Sequence, residues 1–485
     1  MTDTTLHRSG TDHPDRWRVL AVCCVGLFLL VSSLSSLNVA LPTLQRDLGA
    51  STAELQWIVD AYAVVFGGLL LTGGAVGDRI GRRRALAGGF AILVIGGVVG
   101  GLAGSVAAVI TARVIGGLGA ALMMPATLSI LTDVFAPSGQ KRAIAIWSGV
   151  AGAGGAFGPA ISGWLLSVSD WPAVFGVTAA IAAVGLAGVG AVVPALPRAA
   201  DGPLDLPGAT LSTAAIGLAL YAVIASPEGV LRPAVVATTL GAVLAAAAFV
   251  VRERTIAEPM LPLWVFDSPR LRAGVGTLLL AAVGFAGVLF VAALLLQFGW
   301  GESALATGLL LVPIGAVELP VSALSPSTCR RFGTGRTVTA GLVAMAIGYT
   351  AMALTPVGDR LTFVLAGVVA GAGNGLVIPP SVERVVGGAE PELAGVTAGV
   401  NETSIELGAS IGVAALGAVQ RVAFDRRLPD GVPSRSVTEA LEVADTETVL
   451  AAFRSGARAA LLAAAVAALL AIPLAVRPDD DEPAA

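Results

Sequence analysis

Charge is what this sequence has least of. Asp, Glu, Lys and Arg make up 13% of its 485 residues, against about a quarter in soluble domains. Lysine is nearly missing, Lys141 being the only one, and the net charge of −4 excludes the basic footprint of a nucleic-acid binder. Cysteine is scarce too. Cys23 and Cys24 lie in an apolar run and Cys329 in a basic stretch, so a disulfide framework is excluded. The histidines, His7 and His13, both lie in the polar N-terminal stretch, which leaves no metal cluster and no catalytic triad. No G-x-x-x-x-G-K-[ST] loop occurs, so ATP is not expected to act directly. Neither a cofactor nor an enzymatic activity is expected.

What the chain has instead is apolar length. Hydrophobic residues make up 55% and the mean hydropathy is +0.85. A soluble core of that size needs more polar cover than this, whereas lipid asks for none. The apolar runs are long and apolar on all faces, so they predict helices rather than the alternating strands of a barrel. They add up to about fourteen spans of about 20 residues each, the first at 19–41, the tenth at 304–325 and the last at 457–476. With the N-terminus cytoplasmic, the inner loops collect Arg16, Arg18, Arg79, Arg82, Arg83, Arg84, Lys141, Arg142, Arg252, Arg254, Arg330 and Arg331. The short outer loops hold only Arg46, Arg232 and Arg360. That is the positive-inside bias, and an even count with both termini cytoplasmic preserves it. Twelve spans, with the pair near 207–251 outside the membrane, is the alternative. The expected organisation is a cytoplasmic tail (1–18), a six-helix bundle (19–196), a linker carrying two extra helices (197–255), a second six-helix bundle (256–476) with a long outer loop (421–456), and a cytoplasmic tail (477–485).

Three stretches carry more than length. After the second span comes a predicted loop running from Gly74 through Asp78, Arg79, Gly81, Arg82 and Arg83 to Arg84, where glycine permits a tight turn. A weaker echo, from Arg331 through Gly333 to Arg336, follows the tenth span, where a parallel repeat of the first bundle places it. The fourth span carries Arg113 within the membrane, a charge that needs a partner and a task. The fifth carries Gly158, Pro159 and Gly163 among other small residues, which favour close helix packing.

These stretches resemble signatures of the major facilitator superfamily: the loop motif after the second helix, an arginine motif in the fourth, and an antiporter motif in the fifth. Together with Asn38-Val39-Ala40-Leu41-Pro42 and the extra central pair, they resemble the fourteen-helix drug:proton antiporters of the EmrB/QacA type. The resemblance implies an all-α membrane protein with the major facilitator fold, export rather than uptake, a proton-coupling role for Arg113, and conformational roles for the loop and antiporter motifs. In that family the first helix usually carries an aspartate five residues before the asparagine; here Ser33 stands there.

Intramembrane acids are the default proton carriers. Asp60, one turn into the second helix, and Arg113, two turns into the fourth, are expected at similar depth, close enough for an ion pair or a water-bridged relay near Ser33 and Asn38. Glu318 lies between Pro313 and Pro320, whose freed carbonyls suit a cavity wall. Glu402 and Glu406 share one helix face, with Asn401 beside them and Asn374 in the twelfth span. Asp60, Arg113 and Glu318 are the proton-coupling candidates, and Ser33, Asn38, Glu318, Asn374, Asn401 and Glu406 the substrate-binding ones. The expected partners are an amphipathic organic compound, protons and the lipid of a bacterial inner (cytoplasmic) membrane, with the protein acting as a monomer. An exporter of one endogenous metabolite or lipid precursor and a transport-inactive sensor are the competing readings.

Overall fold

The computed structural model describes residues 13–195, 205–226, 229–256, 259, 261–388, 394–429, 431–433 and 437–476. No strand occurs among them; helices follow one another with short turns. The first half comprises α1 (Arg16–Ser35), α2 (Leu37–Leu48), α3 (Thr52–Ile80), α4 (Arg82–Gly101), α5 (Val106–Val134), α6 (Pro137–Val168) and α7 (Pro172–Val192). The linker pair is α8 (Leu206–Ala225) and α9 (Pro233–Thr255). The second half comprises α10 (Pro269–Leu294), α11 (Ala304–Ala316), α12 (Glu318–Phe332), α13 (Thr334–Leu354), α14 (Arg360–Val386), α15 (Ala394–Asp425), α16 (Val437–Val443), α17 (Thr446–Leu470) and α18 (Ile472–Ala475). Thirteen helical stretches among the described residues are long and apolar enough to cross a membrane. The 32-residue α6 packs among them, against α1 and α11. Val184 and Leu244 stay 70% and 69% exposed, as side chains facing lipid do.

The two halves repeat one packing plan. In the first, α4 packs on α5 and α7, α1 on α5, α6 and α7. In the second, α13 packs on α14 and α17, α10 on α14, α15 and α17. The repeat reaches the backbone. Gly81, between α3 and α4, has φ 98° and ψ 131°, and Gly333, between α12 and α13, has φ 86° and ψ 150°. Both positive φ values exclude an ordinary side chain. Close approaches repeat as well: a Cβ on Gly119 would stand 2.8 Å from the Gly89 carbonyl, and one on Gly373 would stand 2.5 Å from the Gly341 carbonyl. The glycines of the weak echo thus mark a true structural repeat.

Several expected boundaries move. The first span is two helices, broken at Ser36 and ending at Leu48. The tenth breaks at Val317 and runs on to Phe332, because Pro320 has no N–H to give the Ala316 carbonyl. The signature after the second span is no loop: α3 continues to Ile80 and only Gly81 turns. The outer loop 421–456 shrinks, since α15 reaches Asp425 and α17 starts at Thr446, where Asp445 caps the Thr448 N–H at 3.1 Å. That cap also separates α17 from the short α16 inside the same segment. Residues 1–12, 196–204 and 477–485 lie outside the described residues, as does the side chain of Asp78.

The described ends of the chain lie at one end of the bundle, here called proximal. The His13 N–H bonds the Val134 carbonyl at 3.0 Å, and both terminal guanidinium nitrogens of Arg384 bond the Ala475 carbonyl at 3.2 Å. The turn between α2 and α3 marks the opposite, distal end.

Candidate functional site

The signature residues at the proximal end act as clasps. Arg82 pairs with Asp133 at the foot of α5, and Arg83 bonds the Gly190 carbonyl of α7 at 3.0 Å. Both tie the start of α4 to its neighbours within the first half. Arg79 also has a partner, and Gly74 lies against Pro125.

The antiporter stretch wedges α6 between the halves. A Cβ on Gly158 would stand 2.3 Å from Ser35 Oγ on α1, and one on Gly163 would stand 2.5 Å from the Ala304 carbonyl of α11. In return, a Cβ on Gly308 would meet the Pro159 carbonyl at 2.4 Å. Glycine on both helices lets the backbones touch across the seam. Glutamines fasten the same distal end. Gln56 Nε2 of α3 donates to the Val413 and Ala414 carbonyls of α15 at 3.3 and 3.0 Å. A π-helical turn, Leu295–Gly299, carries Gln297, whose Nε2 donates to the Val39 carbonyl at 2.9 Å. All these bonds cross from one half to the other near the distal turns.

About two turns in from the distal end, the first half holds a buried polar cluster. α3 starts at Thr52 behind a Ser51–Glu54 capping box, so Asp60 lies about two turns in rather than one. That matches the depth of Arg113 on α5. The expected ion pair between them is nevertheless absent. Arg113 Nε donates to the Ile58 carbonyl at 2.9 Å and Nη1 to the Ser33 carbonyl at 3.2 Å. Its guanidinium stacks 4.4 Å from the centre of the Tyr62 ring, a cation–π contact. Arginine therefore binds the backbone of the residue whose side chain, in the resembling family, is an aspartate. Nη2 has no partner, and neither do the two carboxylate oxygens of fully buried Asp60. A cavity of about 30 Å³ opens beside Arg113, Ser33 and Tyr62, room for one or two waters. Asn38 sits on α2 just past the helix break, its Oδ1 buried and unpartnered.

Across the seam, α15 carries the remaining acids. Glu406 is 7% exposed, and its Cβ would lie 3.3 Å from one built on Gly67 of α3. It stands within electrostatic reach of Tyr62 and Glu402. Asn401 Nδ2 donates to Glu402 at 3.3 Å. A separate cluster occupies the second half, where the Glu318 carboxylate lies against the Asn374 side-chain amide and within reach of Tyr349.

The structure thus brings Ser33, Asp60 and Arg113 together beside Tyr62, sets Glu406 against Gly67 across the seam, and joins Glu318 with Asn374 elsewhere. No group of three or more His, Cys, Asp or Glu suited to a metal occurs among the described residues. Missed from the sequence were Tyr62, Tyr349, Gln56 and Gln297. The tyrosines carried a signal: the chain has three, and these two lie in apolar runs close to intramembrane polar residues.

Known proteins share this architecture. The Major Facilitator Superfamily profile matches residues 23–413. The tetracenomycin C resistance and export protein of Streptomyces glaucescens is 31% identical over 451 residues, 88% of this chain and 82% of its own. A cephamycin export protein of Amycolatopsis lactamdurans is 36% identical over 406 residues, 82% and 83% of the two chains. Among solved structures, an inward-facing bacterial homologue of the human lysosomal transporter Spinster superposes with a TM-score of 0.71 at 18% identity, covering 96% of this chain and 97% of its own. Fold, motif geometry and sequence agree: this chain is a multi-pass membrane transporter, not an enzyme, and it belongs to the Major Facilitator Superfamily.

Proposed function

We propose that the protein exports an amphipathic organic compound, a drug or antibiotic, across a bacterial cytoplasmic membrane in exchange for protons. It acts as a monomer of fourteen spans, with α6 completing the count and the proximal end in the cytoplasm. The observation that carries this reading is a fully buried carboxylate, Asp60, with no bonded partner, next to an arginine already committed to backbone carbonyls. A buried acid without a counter-ion is a proton carrier by default. Its neighbour Arg113 lines a water-sized cavity, which suits a group whose access alternates as the halves rock. Asp60 takes the part that Ser33 cannot play. The resistance and export names of the relatives agree with this direction of transport.

Expression in a drug-sensitive bacterium tests the reading. The wild type raises the tolerated concentration of at least one amphipathic compound. Asp60→Asn, which keeps the shape and removes the titratable group, brings tolerance back to that of the empty vector at equal protein level. Full tolerance in the Asn variant would remove Asp60 from the coupling route.

A further inference from the structure

The cluster in the second half has a chemistry that the first lacks. Three helices bring it together. The first turn of α12 meets α14 at Gly375, where a Cβ would stand 2.9 Å from the Glu318 carbonyl, and Ser322 Oγ bonds the Gly375 carbonyl at 3.3 Å. α13 approaches α14 as closely: a Cβ on Gly348 would lie 2.6 Å from the Ala366 carbonyl, which seats the next residue, Tyr349, deep in the bundle. On its other side the Tyr349 ring fills the space left by Gly284 of α10, 3.2 Å from where a Cβ would be.

The oxygens within reach of one another there can all accept a hydrogen bond, the phenol being able to donate one as well. Asn374 Oδ1 and Tyr349 Oη are both buried and have no hydrogen-bond partner; their residues are 4% and 0% exposed. Burying two such groups unpaired is unfavourable, so the site suits something that supplies donors. Glu318 adds a negative charge, and no arginine or lysine bonds it among the described residues. It sits at the break between α11 and α12, where the backbone can open without losing a continuous helical ladder. A carboxylate, a carboxamide oxygen and a phenol oxygen arranged this way match a cation that carries N–H donors. A quaternary ammonium would satisfy the charge and leave both neutral oxygens unpaired.

We propose that Glu318, Asn374 and Tyr349 form a substrate subsite for a protonated primary or secondary amine, with Tyr349 selecting amines that bear N–H groups. The proposal rests on the exporter reading and names the chemical class of its substrate.

The test uses the full-length protein in lipid nanodiscs at neutral pH, with two probes of one scaffold: dansylcadaverine, a primary ammonium, and its N,N,N-trimethyl derivative. Fluorescence titration of the wild type shows the primary amine binding about tenfold more tightly, the value of one hydrogen bond to a charged group. Tyr349→Phe keeps the ring, weakens the primary amine about tenfold, and leaves the trimethyl compound unchanged. Asn374→Leu narrows the same preference, so the answer does not hang on one variant folding. Glu318→Gln weakens both probes together. Equal binding of the two probes by the wild type, binding of neither, or a preference that survives both Tyr349→Phe and Asn374→Leu overturns the subsite. The two readings fail separately. A wild type that confers resistance without amine preference defeats the subsite alone; one that binds the amine selectively but moves no compound against a pH gradient defeats the exporter reading alone.

Discussion

Arg113→Ala is expected to lower transport by at least tenfold and to destabilise the first half by about 3 kcal/mol, the value of two hydrogen bonds from a charged donor discounted for the helix's other contacts. The guanidinium joins α5 to α3 through the Ile58 carbonyl and to α1 through the Ser33 carbonyl, with the Tyr62 ring against its face. Removing it leaves a void beside an existing cavity and takes away the positive charge that acts on Asp60. Arg113→Lys is expected to do little better, because one ammonium on a flexible stem cannot hold two carbonyls and stack on a ring at once. Thermal unfolding in detergent and transport into vesicles, measured on both variants, check this. Lysine restoring full activity would mean that charge alone matters and the backbone tether does not.

Gly308→Val should trap the transporter with its distal end open. The added Cβ would stand 2.4 Å from the Pro159 carbonyl, and a backbone atom cannot yield as a flexible side chain does. Overpacking costs about 1–3 kcal/mol, enough to shift a two-state population by about fivefold to 150-fold. The conflict exists only while α6 and α11 touch, so it acts on one conformation. With Asn38→Cys as a reporter just past the α1–α2 break, a membrane-impermeant maleimide added from the distal side labels the Gly308→Val background faster and the wild-type background slowly. Transport falls in the same preparation. Equal labelling rates would mean that the seam is not the closing surface.

How much of this the sequence discloses depends on the length scale of the cause. Apolar run length, loop arginines and the glycines around Gly81 and Gly333 are local, and they foretold the helical membrane fold and its repeat. The breaks at Ser36 and Val317 were hidden because hydropathy runs unbroken through them. Pro320 hinted at the second, whereas no proline stands at the first. The start of α17 was misplaced because Asp445 reads as loop chemistry until its cap on Thr448 is seen. The seam was least legible. Gly158, Gly163 and Gly308 read equally well as packing within a bundle, and only the fold decides which helix each meets. Depth along a helix correctly put Asp60 level with Arg113, but depth carries no azimuth and no account of backbone acceptors. The guanidinium found carbonyls, and the carboxylate was left alone.

The most direct test of the central claim is proton movement itself. Purified protein is reconstituted into liposomes with a pH-sensitive dye inside, a pH gradient is imposed with the lumen acidic, and a compound from the resistance profile is added outside. Proton-coupled exchange predicts that the compound accumulates in the lumen while the lumen loses protons, that an ionophore abolishing the gradient stops both, and that Asp60→Asn stops both with the gradient intact. Accumulation that proceeds equally without a pH gradient, or in the Asn variant, would contradict the account.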